Sequence, residues 1–384
     1  MPIPFLPNEL VDQILSYIDP LNPFHHDLVS TSLVCRNWLE PSRKYLYRSV
    51  NFVIVMDQGS SEYAHPLDVK VARYSESSWR LLSTVGTNSK LASLVKNVSF
   101  RRGYIDLGVE CSAVFVTTQT LIATVMGLLT RATSFRFDND EWFNLKHCGA
   151  FFPHLDRLQT LSFDKVVKSE CFGPLSRLPN LRSLELSEHP LDSVQPSILS
   201  QAQSPFVSRL QKLFLLDSSA EVFDALCAGS KSSLRKLKIP LNLLPKFHVS
   251  EWPSLTHLSI CHSSASYPSS AEITSFLSSL RFSCPILDEL TLSREALSLL
   301  EKDSEFDYFL PRSCIRINLT VFPFFETALS FVHRGDSHPG IRELRLYDNP
   351  NVPDGDHKRT ELVLAGLRAL LEKAGVELIW YWDE

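Results

Sequence analysis

One short phrase recurs along most of this chain and limits what the chain can fold into: an apolar residue, two variable ones, a leucine, one variable residue, and a second leucine or isoleucine. It reads Leu158-x-x-Leu161-x-Phe163, Leu181-x-x-Leu184-x-Leu186, Leu210-x-x-Leu213-x-Leu215, Leu234-x-x-Leu237-x-Ile239, Leu255-x-x-Leu258-x-Ile260, Leu287-x-x-Leu290-x-Leu292 and Ile341-x-x-Leu344-x-Leu346. Weaker copies sit at Val95/Val98/Phe100, Ala132/Phe135/Phe137 and Ile315/Ile317/Leu319, and consecutive central residues lie 21 to 37 residues apart. The last two apolar positions of each copy alternate, which predicts a short strand with one face in a core. A strand of a few residues cannot bury that face alone, so the copies must stack on one another as a solenoid.

The spacers agree. Pro179, Pro253, Pro285 and Pro339 each stand two residues before the first apolar position of a copy, where they stop the preceding helix. Ala271 to Leu280, with Ile273, Phe276, Leu277 and Leu280, has helical spacing, as has Leu362 to Leu371, which Gly375 follows as a stop. Val376 to Tyr381 predicts a closing strand over the last edge. The phrase resembles the leucine-rich repeat, which implies an α/β solenoid with one strand per repeat. The asparagine common after such strands survives as Asn242 and Asn349, so the repeats are irregular. A doubly wound α/β domain also alternates strands and helices, but it needs longer strands and a ligand-binding turn.

The N-terminus is different in kind. Leu10, Val11, Ile14, Leu15 and Ile18 share one helical face after Pro7, and Asp19-Pro20 stops that helix. A second helix is predicted from about Asp27 through Leu28, Val29, Leu33 and Val34, and a third carries Trp38, Leu39, Tyr45 and Leu46. Three helices in so few residues expose more apolar surface than they can bury among themselves. The two segments Leu6-Pro7-Asn8-Glu9-Leu10 and Leu33-Val34-Cys35-Arg36-Asn37-Trp38, in that order, resemble an F-box. That resemblance implies docking on Skp1 and, through it, on the cullin of a ubiquitin ligase. It also implies that Leu6, Pro7, Glu9, Leu10, Ile14, Leu15, Leu28, Leu33, Val34, Cys35 and Trp38 pack within the motif or against Skp1. The six residues Leu21 to His26 make a longer corner than the family usually has, at small cost in closure entropy.

The expected organisation is therefore an F-box over 3–50, a helical linker or cap over 51–90, with one or two helices from Asp68 to Val85, and a leucine-rich-repeat-like array over 91–384. As a fold class this is α/β: a three-helix F-box followed by an irregular α/β solenoid. The order of F-box, helical joint and irregular repeats is similar to that of large fungal families of F-box proteins.

Composition removes other classes. The net charge of −5, with no basic stripe, disfavours nucleic acid as a partner. The stretch Cys111 to Thr130 is uncharged but too polar to span a membrane; it predicts a buried helix with Leu121, Val125, Leu128 and Leu129 facing the core. Eight cysteines without a Cys-x-x-Cys pair or a secretory leader suggest reduced thiols in a cytoplasmic or nuclear setting. Nucleophile elbows, phosphate loops and dinucleotide turns do not occur. His25-His26-Asp27, His147-Cys148, Cys261-His262 and Asp354-Gly355-Asp356 lack metal-ligand spacing. No enzyme activity, cofactor or metal is expected.

What remains is recognition of proteins. The resemblance implies a substrate-recognition subunit of a Skp1-cullin-F-box ubiquitin ligase; a Skp1-bound or free scaffold without a role in degradation is the other reading. Residues between the core positions of each strand should point to the concave face in two rows. One row is Thr160, Ser183, Lys212, Lys236, His257, Glu289, Arg316 and Glu343; the other is Ser162, Glu185, Phe214, Lys238, Ser259, Thr291, Asn318 and Arg345. Lys212, Lys236, Lys238, His257 and Phe214 then fall together as a candidate substrate site for an acidic or phosphorylated segment.

Overall fold

A computed structural model of the chain describes residues 8–17, 36–56, 71–103, 116–137, 156–163, 175, 178–186, 209–216, 220–244, 252–261, 269–293, 313–320, 342–347, 365–366, 368–369, 371–373 and 375–381. They fall into two compact units, Met1–Pro174 and Leu175–Glu384.

The first unit opens with two helices, α1 (Asn8–Tyr17) and α2 (Arg36–Leu46). Strands β1 (Ser49–Met56) and β2 (Val71–Tyr74), helices α3 (Glu76–Thr87) and α4 (Ser89–Leu94), and strand β3 (Asn97–Gly103) follow. Then come β4 (Val116–Thr117), α5 (Thr118–Leu128), β5 (Ser134–Phe137) and β6 (Thr160–Phe163). β6, β5, β3 and β1 run parallel in that order, and β2 and β4 continue the sheet antiparallel. Stacked rings fill the core beneath it: Phe52 on Phe100 at 5.9 Å, Phe100 on Phe137 at 5.2 Å and Phe137 on Phe163 at 5.2 Å between centroids.

The second unit holds β7 (Ser183–Leu186), β8 (Lys212–Leu215), α6 (Ala220–Cys227), β9 (Lys236–Pro240) and β10 (His257–Cys261). After them come α7 (Ser270–Ser283), β11 (Glu289–Leu292), β12 (Arg316–Thr320), β13 (Glu343–Tyr347) and β14 (Glu377–Tyr381). These strands pair in chain order and all in parallel. Short parallel strands joined by helices and turns need a crossover each time, which the spacing of the repeated phrase supplies. Each of the ten sequence copies lies on a strand, and the closing strand over 376–381 is present as β14.

The geometry at the start of each strand explains the proline rhythm. The amide of the first apolar residue donates to a carbonyl three residues back: Leu181 to Leu178, Leu255 to Trp252 and Leu287 to Cys284. Those earlier residues are buried, so each of these three copies opens in a turn anchored by one more apolar side chain than the phrase contains. Proline follows that anchor directly in all three cases, at a position where no amide is needed. Trp252 is the largest of these anchors; it is fully buried with its ring tilted on Phe223 at 5.9 Å.

Helix ends are equally well marked. Ser269 and Glu272 form a reciprocal capping box at the start of α7. Gly375, at φ 71°, ends the helical turns around 371–373; its amide donates to Glu372 O and that of Val376 to Leu371 O. This is the Schellman arrangement, and the positive φ explains why glycine stands there.

Three expectations need correction. Residues 51–90 are not simply helical: β1 extends to Met56 and β2 occupies Val71–Tyr74, because Val50, Phe52 and Ile54 alternate into the core. In the copy at β12 the first core position is Cys314, fully buried, while Ile315 is half-buried; the pairing of Ile317 with Leu290 and Leu344 sets that register. On α5, Leu121, Ile122, Val125 and Met126 are buried, as is Leu129 just after it, and Leu128 falls just outside their arc and is exposed. The helix predicted from Asp27 lies outside the described residues. No helix among the described residues is long and apolar enough to cross a membrane.

Candidate functional site

Two surfaces matter. The first is α1, which is apolar on two sides. Val11 and Leu15 are fully buried and pack against Trp38, Tyr45 and Leu46 of α2. Leu10 and Ile14, one helical turn apart, remain 45% and 43% exposed. A single helix thus has one apolar stripe consumed by its neighbour and a second left open, as expected of a helix that docks on something else. Of the residues assigned by resemblance, Leu15 and Trp38 serve the internal contact, Leu10 and Ile14 form the open stripe, and Glu9 lies on α1. Leu6, Pro7, Leu28, Leu33, Val34 and Cys35 lie outside the described residues. Val11 was absent from the assigned set although it sits in the internal contact; its i, i+4 spacing to Leu15 was the available signal.

The second surface is the strand face of the second unit opposite its leucine core. The register brings together the residues predicted there. Lys212 faces Lys236, Phe214 faces Lys238, and Lys236 faces His257. Facing residues in neighbouring strands lie about 5 Å apart. Lys212 is exposed, Lys236, Lys238 and Phe214 are half-buried, and among the described residues the three lysines make no ion pair. Like charges directly opposite one another destabilise a sheet, so an uncompensated cluster of this kind is not what folding alone would select.

The neighbouring strands, β10 to β13, behave in the opposite way. Arg316 places Nη1 2.8 Å from Asp288 Oδ2 and Nε 3.1 Å from Glu343 Oε2, and Arg345 Nη2 lies 2.9 Å from the same Glu343 oxygen. Asn318 Nδ2 donates to Glu289 Oε1 at 2.6 Å and to Thr291 Oγ1 at 3.0 Å. Charges there alternate from strand to strand and neutralise each other. The pairs are partly exposed, so each is worth about 1 kcal/mol or less, but together they hold the face in one arrangement.

His257 stands at the boundary. Its Nδ1 is 2.8 Å from Thr256 Oγ1 and its Nε2 is 3.6 Å from Glu289 Oε2. Partial burial, and secondarily the charge of Lys236, push the imidazole below its ordinary pKa of 6.5 in spite of Glu289. The His257–Glu289 contact is therefore an ion pair only in acid, and at neutral pH His257 adds no charge to the lysine cluster.

The described cysteines 227, 261, 284 and 314 are in no disulfide. Burial pushes the thiols of Cys284 and Cys314 up to about 12, and that of Cys227 higher still, so these three are inert as nucleophiles. Among the described residues no group of three or more His, Cys, Asp or Glu side chains is placed to hold a metal ion.

Comparison with known proteins bears on the first surface. Residues 3–53 match the family model described as F-box-like. No curated protein matches the chain. Among solved structures, the crystal structure of the complex of Rad7 and Elc1 in yeast is similar at 12% identity, covering 78% of this chain and 77% of that one, with a TM-score of 0.40. That likeness is too loose to bear on function. The match of residues 3–53 coincides with the helical pair whose α1 leaves Leu10 and Ile14 open: this segment is an F-box-like domain.

Proposed function

We propose that the protein is the substrate-recognition subunit of a Skp1-cullin-F-box ubiquitin ligase. In this reading residues 3–50 dock on Skp1, residues 51–90 join the two parts, and residues 91–384, an irregular leucine-rich-repeat solenoid, hold the protein to be ubiquitinated. The observation that carries it is the open Leu10/Ile14 stripe within a segment that matches the F-box-like family. Leu6, Pro7, Glu9, Leu28, Leu33, Val34 and Cys35 complete the proposed Skp1 contact, while Leu15 and Trp38 support it from inside. The chain makes no bond itself. It raises the effective concentration of substrate lysines near a ubiquitin-charged enzyme, which is enough to accelerate transfer. Reduced thiols and a Skp1 partner fit a cytoplasmic or nuclear setting.

The test is affinity capture from cells with proteasome activity blocked, comparing the whole chain with one lacking residues 1–50. The whole chain should bring down Skp1 and cullin together with a partner that accumulates under the block, and the shortened chain should lose Skp1 and cullin while keeping that partner. Capture of Skp1 by the shortened chain would contradict the assignment. Capture of partners whose lifetimes never change would instead favour a scaffold.

A further inference from the structure

We propose that the lysine cluster on β8 and β9 receives an acidic, carboxylate-bearing segment of a partner protein, seated against Phe214. This rests on the proposed adaptor role only for the origin of that segment; the chemistry of the site stands on the strand face alone. Lys212 and Lys236 oppose one another directly, and Lys238 lies two residues along the same strand, facing Phe214. The three lysine side chains therefore leave the sheet about 5 to 8 Å from one another. The rest of the face shows that the fold has ready means of neutralising such charges: Asp288, Glu289 and Glu343 engage Arg316 and Arg345 in continuous contact. On β8 and β9 those means are not used. Arg182 and Arg235, exposed just before β7 and β9, add positive charge at the edge, and neither makes an ion pair among the described residues. Glu185, opposite Phe214, and Glu289, beside His257, bound the cluster on its two sides.

The occupant follows from this asymmetry. A net charge of −5 gives the chain no general attraction for polyanions, so the field is local and calls for a short anionic group. The central cations are lysines, flexible point charges, whereas the nearby arginine forks of Arg316 and Arg345 are already held by carboxylates. Flexible point charges can follow several carboxylates spread along a segment, whereas the arginine forks that favour a single planar, bidentate group are occupied. Phe214, half-buried beside Lys238, offers a ring edge or face to an apolar side chain between the acids.

The experiment uses the full chain and a short fluorescein-labelled peptide rich in Glu with a central Leu, read by fluorescence anisotropy against the same peptide with Gln in place of Glu. The Glu peptide should bind, and weaken several-fold when salt rises from about 50 to about 200 mM, because exposed charges are screened over that range. Lys212→Glu, Lys236→Glu and Lys238→Glu combined should lower its affinity at least about tenfold. The triple Gln variant should do the same while melting no lower than the parent, since it removes like-charge opposition, and it decides the matter where the Glu variant fails to fold. Skp1 capture measured on the same samples separates the two proposals: loss of peptide binding in the variants with Skp1 retained leaves the adaptor role intact. Equal binding of the Gln peptide, equal binding by the triple Gln variant, or preference for a phosphoserine peptide or an oligonucleotide of the same charge would overturn the inference.

Discussion

At the scale of single residues, His257 gives a consequence that can be measured in solution. Burial and Lys236 hold its imidazole below 6.5 in the fold, whereas the unfolded chain takes up that proton near 6.5. Between the lowered value and 6.5 the unfolded state binds more protons, so stability falls as pH drops below 6.5 and levels off once the folded imidazole is also protonated. His257→Gln should remove this part of the pH dependence. Urea midpoints at about pH 7.5 and about pH 5.5 should differ less in the variant than in the parent; an unchanged difference would contradict the assigned environment. Residues also show where sequence reasoning reached its limit. Ile315 looked like the core residue of its copy because it is the more apolar neighbour, but strand register, which is set by pairing, put Cys314 inside. Both rows on the strand face were legible because alternation fixes which side a residue takes. Whether a charge there would be paired was not legible: Arg316 and Lys236 occupy the same row, and only the register shows that Arg316 lies beside Glu289 and Glu343 while Lys236 lies beside Lys212 and His257.

At the scale of elements, the first strands are tied closely to their helices. β1 has no leucine phrase, so the sequence reading placed helices across residues 51–90; its alternation of Val50, Phe52 and Ile54 was the signal available. Parallel pairing with β3, Phe52 against Phe100, makes it one more layer of the same core. Helix α3 is pinned to this strand by a serine pair. The Ser75 side chain caps the helix by accepting from Ser78 N, and the buried Ser78 Oγ accepts from Val53 N at 2.7 Å, while Ser75 N donates to Val53 O at 2.9 Å. Ser78→Ala leaves the Val53 amide without that partner in a part-buried site and should cost about 1 to 3 kcal/mol. A denaturant titration of the full chain measures it, and a loss below about 0.5 kcal/mol would mean that water or another group takes over the amide. The helix at Ala271 to Leu280 and the helical residues 365–366, 368–369 and 371–373 were legible from apolar spacing, and Ser269 with Glu272 caps the first while Gly375 stops the second.

At the scale of the whole molecule, a small helical pair with an open apolar stripe precedes a long run of parallel strands with a divided face, one part charge-neutralised and one part not. The repeat period made the run of strands legible in advance, because stacking is the only way such short strands can bury their leucines. The F-box-like character of the N-terminal segment was legible through its two motifs, yet sequence alone could not say which apolar residues of α1 are consumed internally; helical phase sets the Leu10/Ile14 pair about 100° from the Val11/Leu15 pair, and only packing on α2 shows which pair is covered. That division supplies the most direct test of the central claim. Leu10→Asp with Ile14→Asp alters the open stripe and leaves Val11, Leu15 and Trp38 in place, so the helical pair should stay folded by circular dichroism. Capture of purified Skp1 by the full-length double variant should fall by at least about 1 to 3 kcal/mol, the range for central interface anchors, with binding of the Glu-rich peptide unchanged. Skp1 captured at full strength by a folded double variant would contradict the account.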